Sequence, residues 1–77
     1  MNQANPFEAF EVMAQKCEAL AQELELAKQH SQTMANHFRQ KEVPRAAAHS
    51  LAAQGHLEKA RNIFTEIAIE HSSKAQP

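Results

Sequence analysis

The side chains best suited to chemistry in this sequence are five histidines and one cysteine. His30 and His37 are seven residues apart, as are His49 and His56, which is about two turns or ~10.5 Å along a helix. Because zinc holds histidine nitrogens at ~2.1 Å, neither pair can share one ion on a single helix. The remaining metal candidates are His37 and His49, if a turn at Pro44 brings them together. A metal-responsive or pH-responsive histidine sensor is therefore an alternative function.

Cys17 is the only cysteine, which excludes an intrachain disulfide and favours a reducing, cytoplasmic compartment. It lies in an apolar row with only Lys16 as a basic neighbour, so we expect a buried structural thiol and not a nucleophile. The chain also has no Asp and no Gly-rich phosphate loop. We therefore predict no enzyme activity, no small-molecule substrate and no cofactor.

Arg39, Lys41 and Arg45 form the one basic cluster, near Pro44. Eight Lys and Arg against nine Glu give a net charge of −1, which lacks the basic bias of nucleic-acid-binding domains. We interpret the cluster as helix-end charges that complement the C-terminal dipole of the preceding helix. A small nucleic-acid-binding regulator is a second alternative, and it is disfavoured.

Composition predicts a single all-α domain over residues 1–77, with frayed ends at 1–5 and 73–77. Ala, Leu, Glu and Gln are abundant, while Gly occurs once and Pro three times. No segment approaches the ~20 apolar residues of a membrane span, so we expect no membrane partner. Of the 33 hydrophobic residues 15 are Ala, which predicts a lean core that needs a partner chain.

A long helix is predicted over residues 6–41. Asn5 is suited to cap it and Pro6 to occupy its first position, because proline needs no amide partner there. Pro44 disfavours helix at the residue before it, so the break should lie near Glu42 and Val43.

Gly55 predicts a second turn, because glycine often ends a helix with a positive φ. Two shorter helices would then follow the long one, at about 44–54 and 57–72, in a three-helix arrangement. The alternative is one continuous helix over 44–72, in a two-helix hairpin that dimerises into four helices. Leu51 lies out of phase with the apolar positions after Gly55, which favours the turn.

Apolar residues repeat every seven positions along the long helix, in two interleaved rows. The Phe10 row comprises Phe10, Cys17, Leu24, Ser31 and Phe38, and the Met13 row comprises Met13, Leu20, Ala27 and Met34. The short helices, stacked side by side, would span ~24 Å against ~54 Å of long helix, so part of this face should stay uncovered. The predicted interface residues are Phe7, Phe10, Met13, Leu20 and Leu24, and the predicted intrachain core residues are Phe38, Leu51, Leu57, Phe64 and Ile67.

The stretch from Leu51 to Ala68 resembles the centre of a tetratricopeptide repeat. Gly55, Leu57, Ala60 and Phe64 match places of that motif, whereas Pro44, Ala47 and Ile67 depart from it, where Trp, Leu and Ala are common. The resemblance covers residues 43–72, and no second copy occurs in residues 7–40. It implies a tight antiparallel helical hairpin and a protein-binding role.

Taken together, these patterns predict a non-catalytic helical module for protein–protein interaction or assembly, a small adaptor. Its partner would be a second copy of itself or a helix of another protein, bound through the first helix.

Overall fold

The computed structural model describes residues 6–74, with the side chains of residues 7–72, as a hairpin of two long helices. Helix α1 covers Pro6–Arg39 and helix α2 covers Val43–Lys74. The all-α prediction is confirmed, since the described residues contain no strand. The molecule is narrow, with extents of 58 × 25 × 17 Å.

Helix α1 begins at Pro6 as predicted, and it ends two residues before the predicted boundary. Lys41 adopts a left-handed φ of 60°, and its amide donates to the Phe38 carbonyl at 3.0 Å. The Glu42 amide donates to the His37 carbonyl at 2.8 Å. This pair of bonds is a Schellman motif, which satisfies carbonyls left free at the helix end. Lys41 therefore occupies a position that normally favours glycine.

Helix α2 begins at Val43, after Glu42 accepts the first helical hydrogen bond from the Ala46 amide at 3.0 Å. Pro44 lies in the first turn, where its missing amide costs no hydrogen bond. The predicted break near Glu42 and Val43 is confirmed at Glu42, but Val43, which Pro44 was expected to keep out of a helix, is the first residue of α2.

The predicted turn at Gly55 is wrong, because α2 runs through it without interruption and its φ is not positive. Over the described residues the chain is the two-helix hairpin of the alternative, and the predicted short helices over 44–54 and 57–72 are one helix. An interior glycine costs a helix ~1 kcal/mol, which packing along a 32-residue helix can offset. The hairpin that the tetratricopeptide resemblance implied at Gly55 is therefore not formed.

The length argument for an uncovered face is also wrong. Helix α2 has 32 residues against 34 in α1, so it can extend along nearly the whole of α1. The predicted frayed end at 73–77 is helical as far as Lys74. Residues 1–5, including the predicted cap Asn5, and residues 75–77 lie outside the described residues.

The two helices meet along a seam of small side chains. Its buried residues are Ala27 of α1 and Ala46, Ala53, Ala60 and Ile67 of α2. The four α2 residues recur every seven positions, and alanine lets two helix backbones approach closely. No large side chain among residues 7–72 is fully buried.

The Met13 row faces this seam, with Ala27 buried and Met13, Leu20 and Met34 half-buried. The Phe10 row is exposed instead. Of the predicted core only Ile67 is buried, while Phe38, Leu51, Leu57 and Phe64 are exposed. The reason is geometric: one neighbouring helix covers one side of an apolar stripe, and residues 6–74 form no third helix that could cover the other side.

Neither described helix is both long enough and apolar enough to cross a bilayer.

Candidate functional site

The seam carries an unexpected line of polar side chains along α1. Lys16, Glu23, His30 and His37 recur every seven residues and are all half-buried. They lie beside the Met13 row, on the side turned towards α2. The contact between the helices thus combines an apolar row with a polar row, and each polar residue meets a partner from α2 or the turn.

Four imidazole rings form a continuous series of ring contacts within this line, which we call the histidine ladder. In spatial order it consists of His56, His30, His49 and His37. The Nδ1 atoms of His30 and His49 are 2.9 Å apart, with ring centroids at 5.2 Å. His56 stacks on His30 at 5.5 Å, and His37 stacks on His49 at 5.3 Å. The four residues alternate between α2 and α1 along the whole ladder, so every ring contact in it joins the two helices.

A carboxylate stands at each end of the histidine ladder. Glu23 Oε2 is 2.7 Å from His56 Nδ1, a short hydrogen bond with both side chains about four-fifths buried. At the other end Glu42 Oε1 is 3.5 Å from His37 Nδ1. That distance is long for a hydrogen bond, and His37 Nδ1 has no other partner within the described residues. Arg45 binds the same carboxylate at 3.0 Å and so competes with His37 for it.

His37 and His49, the predicted metal candidates, are brought together by the hairpin, with their rings stacked. Among the described residues, no group of three or more histidine, cysteine or acidic side chains is arranged to hold a metal ion. The 2.9 Å separation of His30 and His49 is that of a nitrogen–nitrogen hydrogen bond, in which one ring donates and the other accepts. The arrangement is thus suited to binding and sharing protons.

The second candidate feature is an apolar groove on one side of the hairpin. It is open to solvent and has a volume of about 480 Å³. Its lining comes from both helices: Leu20, Leu24, Leu57, Ala60, Arg61, Phe64, Thr65 and Ala68. Leu24 is 46% exposed, Leu57 49% and Phe64 62%.

The Phe10 row continues this groove along α1, because Leu24 belongs to both. We call the groove together with the Phe10 row the apolar side. Of the predicted interface residues, Leu20 and Leu24 line the groove. Phe7 and Phe10 are strongly exposed, while Met13 is half-buried in the seam.

Cys17 is exposed, so the expectation of a buried thiol is wrong. It belongs to the exposed Phe10 row and so lies on the apolar side.

The basic cluster lies at the turn and its side chains are exposed. Arg39 donates to the Asn36 side-chain oxygen at 3.1 Å, and Arg45 is paired with Glu42. Lys41 occupies the left-handed position of the turn. Arg39 lies in the last turn of α1, whereas Arg45 lies in the first turn of α2.

No known family model, no curated protein and no solved structure shows significant similarity to this chain.

Proposed function

We propose that this protein is a non-catalytic helical assembly module that self-associates through its apolar side. The observation that carries this proposal is the groove, where large apolar side chains of α1 and α2 lie side by side and are exposed to solvent. Exposed apolar patches of this kind are typical of interaction sites. We place the module in a reducing, cytoplasmic compartment, where an exposed lone thiol such as Cys17 stays reduced.

The small side chains of the seam support the proposal that a further helical element packs on the apolar side. Its buried residues are four alanines and one isoleucine, so little apolar area is removed from water between the helices. A single core in a chain below ~80 residues rarely supplies more than ~3–5 kcal/mol, even when it is packed with larger side chains. The phenylalanines and most leucines remain outside it, which leaves the strongest source of hydrophobic stabilisation unused.

A second copy is the occupant that best fits this surface. The hairpin is 58 Å long and 17 Å thick in its narrowest direction, so a covering element must itself be long and helical. A second hairpin supplies two helices of matching length and the same apolar rows. Two hairpins packed through these sides would form a four-helix bundle with one continuous core. A two-fold arrangement makes such a surface self-complementary.

Phe64→Ser tests this proposal, with Ile69→Ser as the matched control. The two side chains are 62% and 61% exposed, but they lie about 140° apart around α2 and only Phe64 lines the groove. A phenylalanine of ~200 Å² leaves ~120 Å² to be covered, worth up to ~3 kcal/mol per copy at ~25 cal/mol per Å². If half of that area is covered, a dimer loses ~3 kcal/mol, or about 100-fold in dissociation constant.

Sedimentation velocity over a range of concentrations would measure this change. We expect Phe64→Ser to raise the dissociation constant by about two orders of magnitude and Ile69→Ser to leave it within a few-fold of wild type. Equal effects of the two substitutions would show that the groove is not the interface.

A further inference from the structure

We propose that the histidine ladder is a proton-responsive contact that loosens the packing of α1 on α2 as the pH falls from neutral towards 5. Imidazole is the one side chain that ordinarily changes its charge in this range. Four of them lie in one line between the helices, so their charges act on the contact that holds the hairpin closed. The inference concerns the seam within one chain and does not depend on self-association.

The central pair is the acid-sensitive element. At 2.9 Å, the contact between His30 and His49 needs one nitrogen that carries a hydrogen and one that does not. Two neutral rings satisfy this with opposite tautomers, and one added proton satisfies it with a charge-assisted bond. A second proton places a hydrogen on both nitrogens, which removes the acceptor and brings two like charges to a ring separation of 5.2 Å. The closed hairpin therefore accommodates one extra proton at this pair, where the open chain binds two.

The ends of the histidine ladder respond differently, because each faces a carboxylate. Glu23 accepts the hydrogen bond of a charged His56 and offsets its charge. Glu42 does the same for His37 less well, because it is 3.5 Å away and is shared with Arg45.

Another charged pair along this side of the seam is Lys16 with Glu66, at 3.9 Å. Since these two charges oppose each other, the pair adds no net charge beside the ladder. A charged His56 or His37, however, stacks on a ring of the central pair and adds to the repulsion between His30 and His49. The contact thus weakens where no carboxylate faces it, at the central pair.

The linkage between proton binding and folding gives the sign and the size of the change in stability with pH. Where the unfolded chain binds more protons than the folded chain, stability falls as the pH falls. An ordinary imidazole titrates at ~6.5, so excluding one proton from the folded state at pH 5 lowers the folding constant by up to about 30-fold.

Urea unfolding between pH 7.5 and 5 tests this, with wild type compared with His49→Gln and His71→Gln at one protein concentration. A glutamine at position 49 can donate to or accept from His30 in either of its charge states, so the second proton is no longer excluded. We expect the folding constant of wild type to fall by at least tenfold more than that of His49→Gln. His71 is exposed and outside the ladder, so His71→Gln should follow wild type. The same pH dependence in wild type and His49→Gln would overturn the proposal.

An NMR titration of the wild-type protein gives a second reading that needs no variant. The Cε1–H resonances of His30 and His49 should titrate together in two separate steps, because the proton of one affects the other. Single, independent steps for His30 and His49 would equally overturn the proposal.

Discussion

Gly55→Ala tests whether α2 is one continuous helix. Gly55 is exposed, its φ is not positive, and a Cβ added there meets no atom within 4 Å. The substitution therefore removes backbone freedom from the unfolded chain without creating a clash. A turn at this position would reverse the outcome, because an alanine forced to a positive φ is strained.

The expected gain follows from helix propensity. Alanine is favoured over glycine by ~0.8–1.0 kcal/mol in a helix interior, and no contact here offsets that difference. In a chain of this length ~1 kcal/mol corresponds to a rise in melting temperature of about 4–8 °C. If α2 turned at residue 55 with a left-handed φ, the same substitution would cost ~1–2 kcal/mol.

Urea and thermal unfolding followed by circular dichroism at 222 nm would measure the change, with all proteins at one concentration because association also affects stability. Gln54→Ala is the control: it is the exposed neighbour in the same helix and should change stability by less than ~0.5 kcal/mol. A destabilised Gly55→Ala would refute the continuous helix and restore the turn.

Two further substitutions test the turn and the seam. Lys41→Gly should stabilise the protein by ~1 kcal/mol in the same unfolding assay, because glycine adopts a φ of 60° without strain. A loss of stability would mean that the Lys41 side chain makes a stabilising contact of its own. Ala53→Leu should destabilise the protein by ~1–3 kcal/mol, because Ala53 is buried between the helices. The control Ala48→Leu, on the exposed side of α2, should have little effect on stability. A stabilising Ala53→Leu would show that the seam has room for larger side chains.

The parts of the fold that local chemistry decides were predictable. Pro6 and Pro44 each lie in the first turn of a helix, where the missing proline amide costs no hydrogen bond. Gly55 misled the prediction because its local cost in a helix is small compared with packing over the length of α2. Leu51, whose position out of register with the later apolar residues indicated a turn, is an exposed residue of α2.

Which row of α1 faces α2 could not be predicted from periodicity. The Phe10 and Met13 rows are both apolar, so periodicity indicated one apolar stripe on α1 but not which row of that stripe contacts α2. The row beside the seam includes Lys16 and Glu23, which look like ordinary solvated residues until their partners on α2 are known.

The histidine ladder is hidden in the same way. His30 and His37 are too far apart along α1 to interact, and the same holds for His49 and His56 on α2. His30 and His49 lie 11 and 8 residues from Lys41 in the turn, and Glu23 and His56 lie 18 and 15 residues from it. Both pairs therefore share one antiparallel register, but that register is offset by several residues from the predicted break near Glu42 and Val43. Pairing residues evenly across the predicted break would not have brought these side chains together.

Sedimentation equilibrium of the wild-type protein at neutral pH, from micromolar to millimolar concentration, is the most direct test of the central claim that the apolar side is covered by a second copy. We predict that the weight-average mass rises with concentration from that of the 8.6 kDa chain to twice that value or more. A mass that stays at 8.6 kDa throughout, for a protein that also melts cooperatively, would contradict the claim.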